Sequence, residues 1–158
     1  WQKIEANILQ TDLKLRGGLW IGISIVLLAL FLTTPVMQIY NTYDSSVFPT
    51  EAIDWLEENP PEGNVFNYFP WGGYLLYREW PEILVFIDGQ TDFYGESLTR
   101  EYEQVITLNN NWEQVLEKYQ VDWMLIPKDS ILTEAVTEHQ IWQILYQDDT
   151  AIILNRGD

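Results

Sequence analysis

The 158-residue chain has no cysteine, a single histidine, and only eight lysines and arginines against 24 aspartates and glutamates. Without cysteine there is no disulfide framework, thiolate zinc site, iron–sulfur cluster or cysteine nucleophile, and the redox compartment stays open. A nucleic-acid binder neutralises phosphates with clustered cations, and the few here are scattered, so DNA and RNA are excluded as partners. No Asn-x-Ser/Thr sequon, no GxGxxG and no P-loop occur, so glycosylation says nothing about topology and the common nucleotide fingerprints are missing. No serine stands in a nucleophile-elbow context. His139 falls in the last turn of a predicted helix, where the dipole favours it without catalysis. What the chain does have is 47% hydrophobic residues and 15% aromatics, which excludes intrinsic disorder. Its length argues for one domain with a core of its own.

Charge is absent from residues 17–43, and the stretch from Leu19 to Leu32 reads LWIGISIVLLALFL. With Gly17 and Gly18 before it and Thr33 to Met37 after, about 20 residues are available against a hydrocarbon thickness of roughly 30 Å. The expectation is a transmembrane helix over 17–37. A signal peptide would be shorter, nearer the start and followed by a small-residue cleavage site, and a wholly buried helix of this length is rare in so small a domain. Lys3, Lys14 and Arg16 precede the apolar run, while the next basic residue is Arg78, so the positive-inside rule puts the N-terminus in the cytoplasm. Residues 1–16 carry three basic and two acidic groups, +1, and residues 44–158 carry five and 22, −17. An acidic body is thereby kept from the anionic inner leaflet.

The expected organisation is a cytoplasmic or interfacial segment over 1–16, the span over 17–37, a linker over 38–48 and an extracytoplasmic α/β domain over 49–158. The chain opens on Trp1, and the mixed segment after it suits a loop between consecutive spans of a polytopic protein or the amphipathic foot of a single-span one. Within the domain, a helix with Thr50 as N-cap runs to Asn59-Pro60-Pro61. Val65–Phe69, Leu84–Ile87 and Trp123–Ile126 read as strands, and Gly72–Tyr77, Leu98–Leu108, Trp112–Tyr119 and Ile131–His139 as helices, with Asn111 as an N-cap. Trp142–Tyr146 and Ala151–Leu154 form a hairpin. Short apolar strands between helices predict a small, mostly parallel αβ sandwich ending in an antiparallel hairpin.

Candidate chemistry concentrates between Asn64 and Glu96. Trp71-Gly72-Gly73-Tyr74 follows a strand, where ligand sites of open αβ sheets lie, and a helix starting there offers free N–H groups. Against that stands a tight strand-to-helix turn with Trp71 and Tyr74 in the core. Arg78 is either a substrate clamp or an ion-pair partner of Glu79, Glu82 or Asp88. Asp88, Asp92 and Glu96, at spacing four, form a candidate site for a divalent cation, although the spacing departs from an EF-hand and Asp88 and Asp92 equally suit caps of backbone N–H groups. Beyond that cation the sequence leaves the cofactor open.

The order of Trp71-Gly72-Gly73-Tyr74-Leu75, Phe86-Ile87-Asp88-Gly89, Tyr94-Gly95, Val121-Asp122-Trp123 and the Trp142 hairpin resembles the last span and C-terminal extracytoplasmic domain of bacterial GT-C-type glycosyltransferases, over residues 17–156. It is more loosely similar to oligosaccharyltransferase catalytic subunits, whose Trp-Trp-Asp-Tyr-Gly motif helps to bind the acceptor. Trp71 and Tyr74 match that motif, while Gly72 and Gly73 stand in place of its second Trp and its Asp. The resemblance implies transfer of a sugar from a lipid-linked phosphosugar, with the catalytic acid and metal ligands in early spans that this chain does not contain. The expected role is a non-catalytic cover or acceptor-contacting domain, with Trp71, Gly72, Gly73, Tyr74, Arg78 and Tyr94 as contact residues. A bacterial inner membrane is the expected location, and the lipid bilayer and neighbouring transmembrane helices the expected partners. The alternatives are a single-span accessory subunit docking in a larger membrane complex, or a freestanding carbohydrate- or cation-binding domain.

Overall fold

A computed structural model describes residues 2–14, 18–33, 43–138 and 141–157, which fall into two compact units, 1–42 and 43–158. The first holds helices α1 (Gln2–Lys14) and α2 (Gly18–Leu32). α2 is apolar on every side and fifteen residues long, about 22 Å at the helical rise, against the roughly 30 Å of a hydrocarbon core. It ends where the Thr33 hydroxyl turns back on the carbonyls of Ala29 and Leu30, at 3.0 and 3.1 Å. Pro35, which has no N–H to extend a ladder, follows in the sequence. Among the described residues no helix is long and apolar enough to cross a membrane, and this corrects the expectation of a transmembrane helix. The sequence pattern shows an apolar run but not where the helix within it stops. Gly17 and residues 34–42 of the expected span and linker lie outside the described residues, as does His139.

The second unit runs α3 (Thr50–Glu58), β1 (Asn64–Asn67), a 3₁₀ turn (Phe69–Trp71), α4 (Gly72–Glu79), α5 (Thr91–Ile106), α6 (Trp112–Lys118), β2 (Val121–Pro127), α7 (Ile131–Glu138), β3 (Trp142–Gln147) and β4 (Ala151–Arg156). The sheet has four strands in the order β1-β2-β4-β3. β1 and β2 are parallel, whereas β2–β4 and β3–β4 are antiparallel. The sheet is therefore mixed, which corrects the mostly parallel sheet expected. Alternate side chains serve opposite faces. Val65, Trp123, Leu125 and Ile153 pack with Ala52, Ile53 and Leu56 of α3 and Tyr74 and Leu75 of α4. Phe66, Met124, Ile126 and Leu154 pack with Val105 of α5, Val115 and Leu116 of α6, and Leu132 and Val136 of α7. Burial on both faces explains the nearly unbroken apolar run of β2.

The run Leu84–Ile87 is not a strand, and the reason is Asn67. This residue is fully buried at the end of β1. Its Oδ1 accepts the Phe86 and Ile87 N–H groups at 2.8 and 3.3 Å, and its Nδ2 donates to the Ile87 carbonyl at 2.8 Å. One side-chain amide thus satisfies the backbone groups a ladder would take, as burial requires. Gly72 completes the arrangement: a Cβ there would lie 2.2 Å from the Ile87 oxygen and 2.8 Å from the Asp88 Cα, so the start of α4 approaches this segment only as glycine.

Helix starts also depart from expectation. Pro49, not Thr50, is the N-cap of α3, and no side chain caps it. Asn111 does precede α6, in the left-handed conformation with φ 63°, again without a side-chain cap; asparagine tolerates that backbone, which is the use made of it. Residues 43–48 pack on the body through Val47, whose carbonyl accepts the Trp71 indole N–H at 2.8 Å, and Ser45, whose carbonyl accepts the Thr150 hydroxyl at 2.6 Å.

Candidate functional site

Because β1 and β2 are parallel, their C-terminal ends meet at one end of the sheet. β4 begins there too, with Ala151 opposite Pro127. The chain leaving β1 turns through Phe69–Trp71, held by the Phe69 N–H donating to the Tyr102 hydroxyl at 2.9 Å. Burial pushes that phenol up to about 12, so it stays protonated and fixed. Between this turn, the chain leaving β2 and the β3–β4 turn lies a cleft of about 400 Å³. Its lining includes Phe48, Tyr68, Pro70 and Trp71 on one side and Asp129, Asp149 and Thr150 on the other. Tyr68 meets the Trp71 ring edge-on at 5.2 Å. Trp71 is buried, and both aspartates are exposed at the rim, where Lys128 Nζ lies 3.5 Å from Asp149. The β3–β4 turn keeps its shape because Asp148 Oδ1 accepts the N–H groups of Thr150 and Ala151, each at 2.7 Å.

Aromatic rings and prolines beside exposed carboxylates suit a polyhydroxylated ligand, whose apolar ring faces lie on aromatic surface while its hydroxyls donate to carboxylates. The lining has no cysteine, histidine or lysine, and the hydroxyl of Ser46, which also lines it, donates to Asp44 Oδ1 at 2.7 Å.

The candidates named from the sequence are divided among three places. Trp71 lines the cleft. Tyr74 and Arg78 lie on the next turns of α4, with Tyr74 buried and its hydroxyl accepting Arg78 Nη1 at 2.8 Å. Arg78 pairs with Asp54 at 2.7 Å and with Glu57 of α3, which holds its guanidinium well above its ordinary pKa, by those two hydrogen bonds first. Its partners are thus neither Glu79, Glu82 nor Asp88. Gly72 is buried against Ile87 and Asp88, whereas Gly73 is exposed and a Cβ there would meet nothing within 4 Å.

Asp88 is buried and accepts the Gln90 N–H at 2.9 Å, the capping role foreseen for it. Tyr94 packs near it, and burial, followed by the Asp88 charge, raises the Tyr94 phenol. Asp92 and Glu96 line a separate hollow on α5, where Glu96 pairs with Arg100 at 2.8 Å. Among the described residues no group of three or more His, Cys, Asp or Glu side chains is placed to hold a metal ion.

Asp129, Asp149 and Tyr68 are not among the site residues the sequence suggests. The signal for Tyr68 was present, since it follows β1 directly; the aspartates needed the parallel pairing of β1 and β2 and the position of the hairpin turn.

No family model matches the chain and no curated protein sequence matches it. Among solved structures, the fold matches the C-terminal globular domain of the oligosaccharyltransferase AfAglB-S2 from Archaeoglobus fulgidus, with a TM-score of 0.52 and 13% identity, over 68% of this chain and 95% of that one. The shared property is the fold.

Proposed function

We propose that the 43–158 body is a non-catalytic, acceptor-contacting domain of a GT-C-like glycosyltransferase, and that the cleft between the Tyr68–Trp71 turn and the β3–β4 turn is its contact surface. The observation that carries the reading is the fold likeness to an oligosaccharyltransferase C-terminal domain. The cleft supports it with an aromatic side and a carboxylate rim at the C-terminal ends of parallel strands, the favoured place for ligands on open αβ sheets. In this reading the acidic body lies on the extracytoplasmic side of a bacterial membrane, within a larger membrane enzyme.

The test titrates the full chain with a panel of soluble oligosaccharides and acceptor peptides while following the tryptophan indole NMR signals. Saturable shifts of Trp71 that disappear in Asp129→Ala and Asp149→Ala support the reading. Saturable binding that both substitutions leave intact moves the contact elsewhere and overturns the cleft. A panel that produces no saturable shift overturns the acceptor-contacting role.

A docking module in a membrane complex is a second reading, favoured by α2. Trp20, Ile21, Ile25 and Leu28 are each more than half exposed within their unit, and helices of another protein would cover such a surface. Photo-crosslinking from Ile21 and Leu28 in cells would trap a second polypeptide on this reading.

A further inference from the structure

The two outer strands of the sheet are β1 and β3. Beside β1 runs the 84–87 segment, tied down by Asn67. Among the described residues β3 pairs with β4 and with no other strand, so one row of its N–H and C=O groups is available to a further strand. Edge strands of this kind are usually protected by charge, proline, shortness or a bulge. β3 has six residues, WQILYQ, with no charge and no proline, and one register shift against β4, between Ile144 and Tyr146. Its apolar side chains are also displayed: Ile144 is 53% exposed and Leu145 40%.

The ends of β3 differ in charge. At the Tyr146 end, the Tyr146 hydroxyl donates to Asp148 at 3.2 Å and its ring lies 5.6 Å from Trp55 of α3. That helix brings Glu51 and Asp54 close enough, with Asp148, to raise the tyrosine phenol once burial has done so. At the Trp142 end, the residue opposite on β4 is Arg156, whose guanidinium is 3.9 Å from Glu117. An antiparallel second copy would bring the acidic end of each strand to the end carrying Arg156 in the other, whereas a parallel one would set the acidic ends side by side.

We propose that β3 is a self-association edge: a second copy of the chain pairs antiparallel along Trp142–Gln147, about a two-fold axis near Ile144 and Leu145, and joins two four-stranded sheets into one. Symmetric self-pairing of an uncharged edge is a common route to closed dimers. The inference stands apart from the acceptor cleft, which lies at the strand ends.

The test measures the mass of the full chain by sedimentation equilibrium in a mild detergent, which also covers the apolar α2. A dimer is expected, and Ile144→Lys is expected to weaken it at least tenfold. Because the chain has no cysteine, Ile144→Cys gives a second readout: near the axis two copies come within disulfide reach, on the order of 5–7 Å between Cα atoms. Mild oxidation should link them, while Ile131→Cys on α7, 55% exposed, should stay unlinked. A monomer at 100-fold dilution steps up to about 0.1 mM, a range in which specific dimers form, overturns the proposal. So does a dimer that survives Ile144→Lys, or one that Ile131→Cys links as fast as Ile144→Cys does.

Discussion

The sheet of the 43–158 body ends in two edges that are treated in opposite ways. On the β1 side, a loop takes the place of a strand, and a single buried amide supplies its hydrogen bonds while a glycine lets α4 close over it. On the β3 side, an uncharged six-residue strand faces outward with half-exposed apolar side chains. An edge can be finished inside the chain, by its own polar groups, or left to be finished by another chain. The first solution makes stability depend on a few buried atoms. The second makes it depend on concentration.

The largest effect expected is at Asn67. Asn67→Ala removes the partners of the Phe86 and Ile87 N–H groups and of the Ile87 carbonyl, leaving three backbone groups unsatisfied in a buried place. At about 1–3 kcal/mol for each, offset by local rearrangement, the loss should be about 3–5 kcal/mol, read by urea unfolding of the full chain. A loss under about 1 kcal/mol would mean that the 84–87 segment is held by its apolar contacts and the β1 edge is not closed by the amide.

Gly72→Ala comes next. Its Cβ would meet the Ile87 oxygen and the Asp88 Cα, both backbone atoms, so α4 or the loop must shift. Overpacking of that kind costs about 2–3 kcal/mol, and the same unfolding titration checks it. Asn67→Ala and Gly72→Ala act on one segment, so their effects should add less than fully in the double variant.

These two positions also show what a sequence can and cannot carry. The apolar runs of β2, β3 and β4 and the breaks around them are legible because burial and turn chemistry leave a local pattern. Leu84–Ile87 has the same pattern without the ladder, since a buried loop and a buried strand need the same side chains and differ only in where the backbone bonds go. Arg78 finds Asp54 and Glu57 on a helix more than twenty residues earlier, which no local spacing could indicate. Trp71 was legible as a site residue because it follows a strand, but the aspartates across the cleft become neighbours only through the order of the strands.

The third effect is a pH slope on the β1 side. Glu79 ends α4 and its carbonyl accepts the Ile83 N–H at 3.0 Å, starting the loop that covers the edge. The carboxyl is buried with Oε1 unpartnered. Burial first, then the charges of Glu57 and Glu82, raise it above the ordinary 4.5, although Arg78 pulls the other way. A carboxyl raised by folding is fully tolerated below the unfolded value and costs stability as pH climbs through the folded one. Glu79→Gln should therefore match the parent at pH 4 and melt higher at pH 7. Equal melting temperatures at both would show that water reaches the carboxylate.

On the β3 side, Ile144→Lys should cost about 1 kcal/mol or less when measured where the chain is monomeric, because only about half of the side chain is withdrawn from water. A loss as large as that of Asn67→Ala would mean that β3, like β1, is finished from within.

The smallest effect belongs to the other glycine of the pair. Gly73 lies beside Gly72 in the first turn of α4, is exposed, and has nothing within 4 Å of an added Cβ. Its φ is not in the left-handed region, so the fold uses none of glycine's freedom there. Gly73→Ala should stabilise the chain by about 0.5 kcal/mol through helix propensity and a less disordered unfolded state. A stability gain accompanied by weaker acceptor binding would mean that the bare backbone at the start of α4 serves the ligand, as Gly72 serves the edge. A gain with binding unchanged would confine the contact to the cleft and leave Gly73 outside it.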